Sequence, residues 1–185
     1  MRFPGVAPGM AGNVLLFARL LGVKISSGFQ KMLNTPLLHP DILRILAQAG
    51  HHSKVLLADG NYPALNKRGS RAEIVSLQLM PGVPTVAQVF EAVLATVQID
   101  EVFTMGIDRT DAYAAATPGD PVVWAEYRRL LAASHGASTA IVLQPLVKWD
   151  FYKAVDSADH VLTIQTADQA PWANLLLSVG CRTFK

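Results

Sequence analysis

The chain has 185 residues, of which 51% are hydrophobic and 16% charged, with a formal charge of +2 at neutral pH. This length and apolar share fit one folded domain and exclude a disordered chain. A single cysteine, Cys181, excludes a disulfide scaffold and a cysteine-built zinc site. The basic balance is uneven. Residues 1–31 carry Arg2, Arg19, Lys24 and Lys31 and no acid, and the rest holds 12 bases against 14 acids. That slightly acidic body argues against nucleic-acid binding.

Residues 1–31 read as an addition to the fold, which is expected over 32–185. The longest apolar run, Val14–Val23, is interrupted by Arg19 and is too short to span a bilayer. The charge inside the run also makes a poor secretory signal. A plain upstream extension or leader is the favoured reading, with an organelle transit peptide as the alternative. No membrane association is expected, and the expected location is the cytoplasm.

In the body, Pro40–Ala49 predicts a short helix, with Ile42, Leu43 and Leu46 on one face and Gly50 as the stop. Lys54–Ala58 predicts a buried strand that ends at Asp59-Gly60. A loop over Asn61–Ser70 precedes a strand at Ile74–Leu79. Thr85 caps a helix to about Val97, with Val86, Val89, Phe90, Val93 and Leu94 as its core stripe. Glu101–Met105 predicts a strand, and Pro121–Ser134 a helix with proline at its first position. The remaining elements are a strand at Thr139–Leu143, a helix at Asp150–Ser157, and strands at His160–Gln165 and Asn174–Val179. This alternation predicts an α/β fold, a mostly buried sheet covered by helices. Ligand groups in such folds gather beyond the carboxyl ends of strands. Asp59 stands at such a point, and Lys148 lies a few residues past the Thr139–Leu143 strand.

Individual polar residues admit two readings each. His51 is either a helix-end imidazole favoured by the dipole or a general acid/base near neutral pH. Asp59 is an Asx-turn residue or a ligand group. His51 and Asp59 flank one strand, about 16 Å apart along it at 3.3 Å per residue. Either the chain bends back or a neighbouring subunit completes the site. Lys67, Arg68 and Arg71 lack the glycine spacing of a phosphate loop and read as a solvated cluster. Trp124, Tyr127 and Arg128 read as helix packing. Trp172 is either core or a platform for the C–H face of a sugar, with Asn174 beside it offering donor and acceptor. No His, Asp or Glu grouping has metal-ligand spacing, so no metal is expected.

Four pieces in order give the body a resemblance. They are Ala49-Gly50-His51, Ala58-Asp59-Gly60-Asn61-Tyr62-Pro63, Gly82-Val83-Pro84, and Trp172-Ala173-Asn174-Leu175-Leu176-Leu177 with Gly180. From about Met32 to Gly180 the chain resembles the ribose pyranase and fucose mutarotase family of sugar-anomer enzymes. Lys148-Trp149-Asp150-Phe151-Tyr152, Trp124 and Tyr127 look like the fucose branch. Gly82-Val83-Pro84 and Ala173-Asn174 look more like ribose pyranase. The fucose branch is the favoured one.

The resemblance implies a ring-forming subunit, typically a decamer of two stacked pentamers with sites between neighbours. It implies a cofactor-free isomerase acting on a monosaccharide. In this reading His51 is the catalytic histidine, and Asp59 binds the sugar or supports that histidine. Lys148, Trp172 and Asn174 hold the sugar. Trp172 stands where the family usually has Tyr, Lys148 where fucose mutarotases have Arg, and Leu65 where that branch is polar, which leaves the preferred sugar open. A sugar-binding module without catalysis is the reading from another class.

Overall fold

In β1 (Lys54–Ala58) apolar side chains occupy consecutive positions, so both sides of the strand must be covered. Val55 and Leu57 join one core cluster, and Leu56 and Ala58 join the other. That is the period-two alternation of a strand inside a layered α/β fold. The computed structural model describes residues 33–135 and 141–182. The sequence-predicted extension at residues 1–31 lies outside the described residues.

Around β1 runs a six-stranded sheet, formed with β2 (Glu73–Ser76), β3 (Ile99–Gly106), β4 (Leu143–Val147), β5 (His160–Gln165) and β6 (Leu175–Val179). The strand order is β2-β5-β1-β6-β3-β4. β1 pairs in parallel with β5, β5 with β2, and β3 with β4. β6 runs antiparallel between β1 and β3. Five strands therefore end on one edge, where β6 begins. The other edge gathers the starts of those five and the end of β6.

Among the described residues four α-helices cover the sheet: α1 (Pro40–Gln48), α2 (Val86–Leu94), α3 (Val122–His135) and α4 (Lys148–Val155). Ile42, Phe90 and Tyr127, from the first three, pack with Val55, Leu57, Leu175 and Leu177 on one face. Phe151 and Val155 of α4, with Tyr62 and Ala64 of the loop after β1, cover Leu56, Met105 and Leu176 on the other. The observed layering is the expected helix-covered sheet.

Thr85 caps α2 in a reciprocal capping box with Gln88. Asp168, in the β5–β6 loop, accepts from Val86 N at 2.8 Å and Ala170 N at 2.8 Å. Gly82, at φ +82°, donates its N–H to the Ala167 carbonyl at 2.7 Å. The segment before α2 thereby braces the loop that leads into β6.

The fourth strand departs from expectation. It spans Leu143–Val147, whereas the sequence predicts Thr139–Leu143. Residues 139 and 140 lie outside the described residues, and Ile141 and Val142 are not in a strand. The shift places Pro145 inside β4. β4 is an edge strand, with β3 as its partner, and a proline nitrogen there needs no hydrogen bond. Lys148 consequently opens α4 directly at the strand's end. β2 is also shorter than predicted, and Ala112–Ala116 forms a 3₁₀-helix that apolar periodicity does not foreshadow.

Candidate functional site

The edge where five strands end carries a cleft of about 440 Å³. Asp59 follows β1, Lys148 follows β4, and Trp172 and Asn174 lead into β6. All four line this cleft. They are brought together because β6 is inserted antiparallel, so its entry meets the exits of its neighbours.

Asp59 and Asn174 form the floor, at 5% and 4% exposure. Asn174 Nδ2 donates to Asp59 Oδ2 at 2.7 Å, and Asp59 N donates to Asn174 Oδ1 at 2.8 Å. The pairing also fixes which way the Asn174 amide points. Asn61 N donates to Asp59 Oδ1 at 3.0 Å. Gln165 Nε2 donates to the Asp59 carbonyl. Burial pushes the Asp59 carboxyl up from 3.8 to about 6, opposed by the bonds from Asn61, Tyr62 and Asn174. A carboxyl in that range changes protonation near neutral pH, as acid/base chemistry requires.

Trp172 is half-buried and sits at φ +63°, in the left-handed region where a bulky residue is strained. The strain is held by α3. Trp124 Nε1 donates to the Trp172 carbonyl at 3.1 Å, and Tyr127 Oη donates to the Ala173 carbonyl at 2.8 Å. On the next residue, the Asn174 carbonyl accepts from Thr104 Oγ1 at 3.1 Å and from Met105 N at 3.3 Å. Sequence spacing assigns Trp124 and Tyr127 to packing alone. Their polar atoms also fix the strand entry that carries two cleft residues.

Tyr62 and Tyr152 complete one wall of the cleft. Their rings lie 5.6 Å apart, and Lys67 Nζ lies 5.6 Å from the Tyr152 ring. Burial raises both phenols above the ordinary tyrosine range, so both stay protonated at neutral pH.

His51 is not in this cleft. It precedes β1, whereas Asp59 follows it. His52 N donates to the Val179 carbonyl at 2.9 Å, at the far end of β6. The whole of β1, about 16 Å at 3.3 Å per residue, separates the histidine from the cleft. Asp59 therefore does not support His51 within one chain. The carboxylate that meets His51 is Asp100, with Nε2 to Oδ2 at 3.2 Å.

His160, which sequence reading passes over, is fully buried. Gly69 N donates to its Nδ1 at 3.0 Å, while its Nε2 lies 3.0 Å from the Leu162 carbonyl. Burial lowers its pKa, and the neutral ring pins the loop after β1 to the start of β5. Among the described residues no group of three His, Cys, Asp or Glu is placed to hold a metal ion, and no helix is long and apolar enough to cross a membrane.

A buried carboxylate–amide pair on the floor of a partly apolar cleft, at the exit edge of a helix-covered sheet, defines an α/β protein with a candidate ligand site where such folds gather ligand groups. The chain belongs to the RbsD / FucU transport protein family, whose sequence model matches residues 32–182. It is 28% identical over 151 residues to D-ribose pyranase of Paracidovorax citrulli (strain AAC00-1), covering 80% of this chain and 98% of that one. It is 27% identical over 150 residues to fucose mutarotase of Homo sapiens, covering 78% and 89%. The fold is that of the fucose mutarotase from Streptococcus pneumoniae in complex with L-fucose, with a TM-score of 0.64 at 21% identity over 81% of this chain and 99% of that one. It is likewise that of Bacillus subtilis RbsD complexed with D-ribose, with a TM-score of 0.60 at 19% identity over 82% and 100%.

Proposed function

We propose that this chain is a monosaccharide mutarotase, an isomerase that exchanges sugar anomers by opening and reclosing the ring. The observation that carries the reading is the buried Asp59–Asn174 pair at 2.7 Å. It lies in a cleft of about 440 Å³, room enough for a monosaccharide, in a chain whose relatives are named as fucose mutarotases and D-ribose pyranases.

A base takes the proton of the anomeric hydroxyl as the bond from C1 to the ring oxygen breaks. The ring oxygen takes a proton, and an open-chain aldehyde results. Rotation about the C1–C2 bond and re-attack by the same hydroxyl give the other anomer. Attack by a different hydroxyl changes the ring size. Two of the Asp59 lone pairs are already committed to Asn61 and Asn174, which orients the rest toward the ligand. Trp172 offers a flat face to the sugar's C–H surface. Lys148 offers donors to hydroxyls but lacks the planar fork of Arg. His51, on the opposite edge of the subunit, is read as the acid/base group supplied to the cleft of a neighbouring copy. One acid/base pair of this kind gives about 10²–10⁴-fold, suitable for a reaction that also proceeds in water.

The same reading takes residues 32–185 as the working domain and residues 1–31 as an extension, supported by a family match that begins at residue 32. It includes a ring of subunits, a decamer by resemblance. Exposed Val122, Trp149, Leu65 and Leu79 support it as surface for other copies to cover. The reading also includes a cytoplasmic location. L-fucose is the favoured substrate. D-ribose is the second reading, supported by the similar identity to a D-ribose pyranase.

The test is NMR saturation transfer between anomers of L-fucose, D-ribose and galactose with the full chain. Faster exchange for at least one sugar, lost in Asp59→Asn, is expected. Tight binding without faster exchange would instead mark a sugar-binding module.

A further inference from the structure

We propose that the exit edge of the sheet carries a second binding site, beside the cleft, for a small neutral molecule bearing hydroxyl groups, recognised by the amide oxygen of Gln165. The site stands apart from the mutarotase reading, which does not use it.

The register of the sheet sets the site. At the end of β5, Gln165 pairs with Ala58 of β1 on one side and with Ser76 of β2 on the other. The cleft with Asp59 lies on the β1 side. On the β2 side lies a second cavity, of about 410 Å³. Tyr62 is a wall common to both. It is buried, its Oη donates to the Lys67 carbonyl at 2.8 Å, and the Phe151 ring meets it edge-on with centroids 6.5 Å apart. The partition between the two cavities is thus held at its hydroxyl and at its ring.

Gln165 belongs to both sides of that partition. Its Nε2 donates to the Asp59 carbonyl. This fixes the amide, because a flipped group would set oxygen against oxygen. Oε1 is the end that is left. Gln165 is 6% exposed and lines the second cavity. Among the described residues its Oε1 is a buried acceptor with no hydrogen-bond partner. Buried polar atoms are nearly always paired, so an open acceptor on a cavity wall calls for a donor from a ligand. One water takes about 30 Å³, and this cavity has room for a molecule of monosaccharide size.

The rest of the lining selects the kind of ligand. Among the described residues no Asp, Glu, Lys, Arg or His lines the cavity, so nothing there balances a charged group, and burying an unpaired charge is costly. The other polar groups are Asn66, Ser76 and Gln78, with Ile74 and Tyr62 as apolar walls. Ser76 Oγ donates to Gln78 Oε1 at 3.3 Å, which leaves Gln78 Nε2 as a donor. A hydroxyl group can donate to Gln165 Oε1 and accept from an amide at the rim at once. The ligand is therefore a polyol or a sugar rather than an ion or a hydrocarbon.

The test is saturation-transfer difference NMR on the full chain with myo-inositol, a neutral polyol with no anomeric centre and so no substrate for anomer exchange. Saturable binding is expected. Ser76→Tyr, at an exposed position of the edge strand, fills the cavity and should abolish the signal. Gln165→Leu keeps the bulk and removes the amide oxygen, and should weaken binding about 10-fold. Gln78→Ala, at the exposed rim, serves where the bulkier variant does not fold, with an expected loss of about threefold or more. Trp172→Ala alters the cleft alone and should leave myo-inositol binding unchanged. Absence of a saturable signal in the parent protein overturns the site. So does a signal kept at parent strength in Gln165→Leu or in folded Ser76→Tyr. Loss of the signal in Trp172→Ala with retention in the other variants would place the polyol in the cleft and overturn the second site as well.

Discussion

Replacing Asp59 by Asn should destroy activity and make the stability of the variant, measured against the parent, rise with pH. The buried carboxyl is raised from 3.8 to about 6. A raised carboxylate pKa means that between these values the folded state binds more protons than the unfolded one. Stability from this group is then fully present at low pH and is lost as pH rises through about 6. The shift of about two units, at about 1.4 kcal/mol each, puts the cost of holding Asp59 ionised at about 3 kcal/mol. Asn carries no such cost, but its Nδ2 would face Asn174 Nδ2, a donor against a donor. That mismatch lowers the stability of the variant by a similar amount at every pH, and it cancels when two pH values are compared. Between about pH 4.5 and 7.5, the stability of Asp59→Asn relative to the parent should therefore rise by about 2 kcal/mol. Urea unfolding at both pH values measures it. A difference that is flat with pH, or that falls, would refute the account of Asp59 as a buried carboxylate held ionised at a cost.

Asn174→Ala removes the Nδ2 donor to Asp59, so the carboxyl should move upward from about 6. If ionised Asp59 is the working form, the acid limb of the pH–rate profile shifts to higher pH. An unmoved limb would separate Asp59 ionisation from the rate. Tyr127→Phe deletes one hydroxyl and strands the Ala173 carbonyl. It should cost about 1–3 kcal/mol in urea unfolding and lower the exchange rate through the adjacent Trp172 and Asn174. Lys148→Ala should weaken sugar binding, read as a higher KM, with little change in unfolding, because Lys148 sits at the cleft wall rather than in the core.

The core was largely legible from residues. Ile42 and Leu46, the Val86–Val93 stripe and the Leu175–Leu177 run are buried where their spacing places them. Strand direction was not. Nothing in Leu175–Val179 says that β6 runs against its neighbours, yet that inversion brings Asn174 to Asp59. β4 was misplaced because Thr139–Leu143 is the more regular apolar run, while the observed strand contains Pro145, which only its edge position allows. Asp59, Lys148, Trp172 and Asn174 were recognisable from the resemblance, and the structure places them around one cleft. The separation of His51 from Asp59 was foreseen from strand length. The identity of its partner was not, because a bulge at Asp100 and a close approach at Gly180 are properties of paired strands. Trp124 and Tyr127 looked like packing because helical spacing reports a face and says nothing of where an indole N–H or a phenol points.

The central claim is that Asp59 of one copy and His51 of another make one mutarotase site. Coexpression of His51→Ala with Asp59→Asn chains, each inactive alone, tests it most directly. With equal mixing and a shared site, about a quarter of the sites draw both intact residues from different copies. Saturation transfer on L-fucose or D-ribose should then show about a quarter of the parent exchange rate. No recovery in assemblies shown to contain both chains would contradict the shared site.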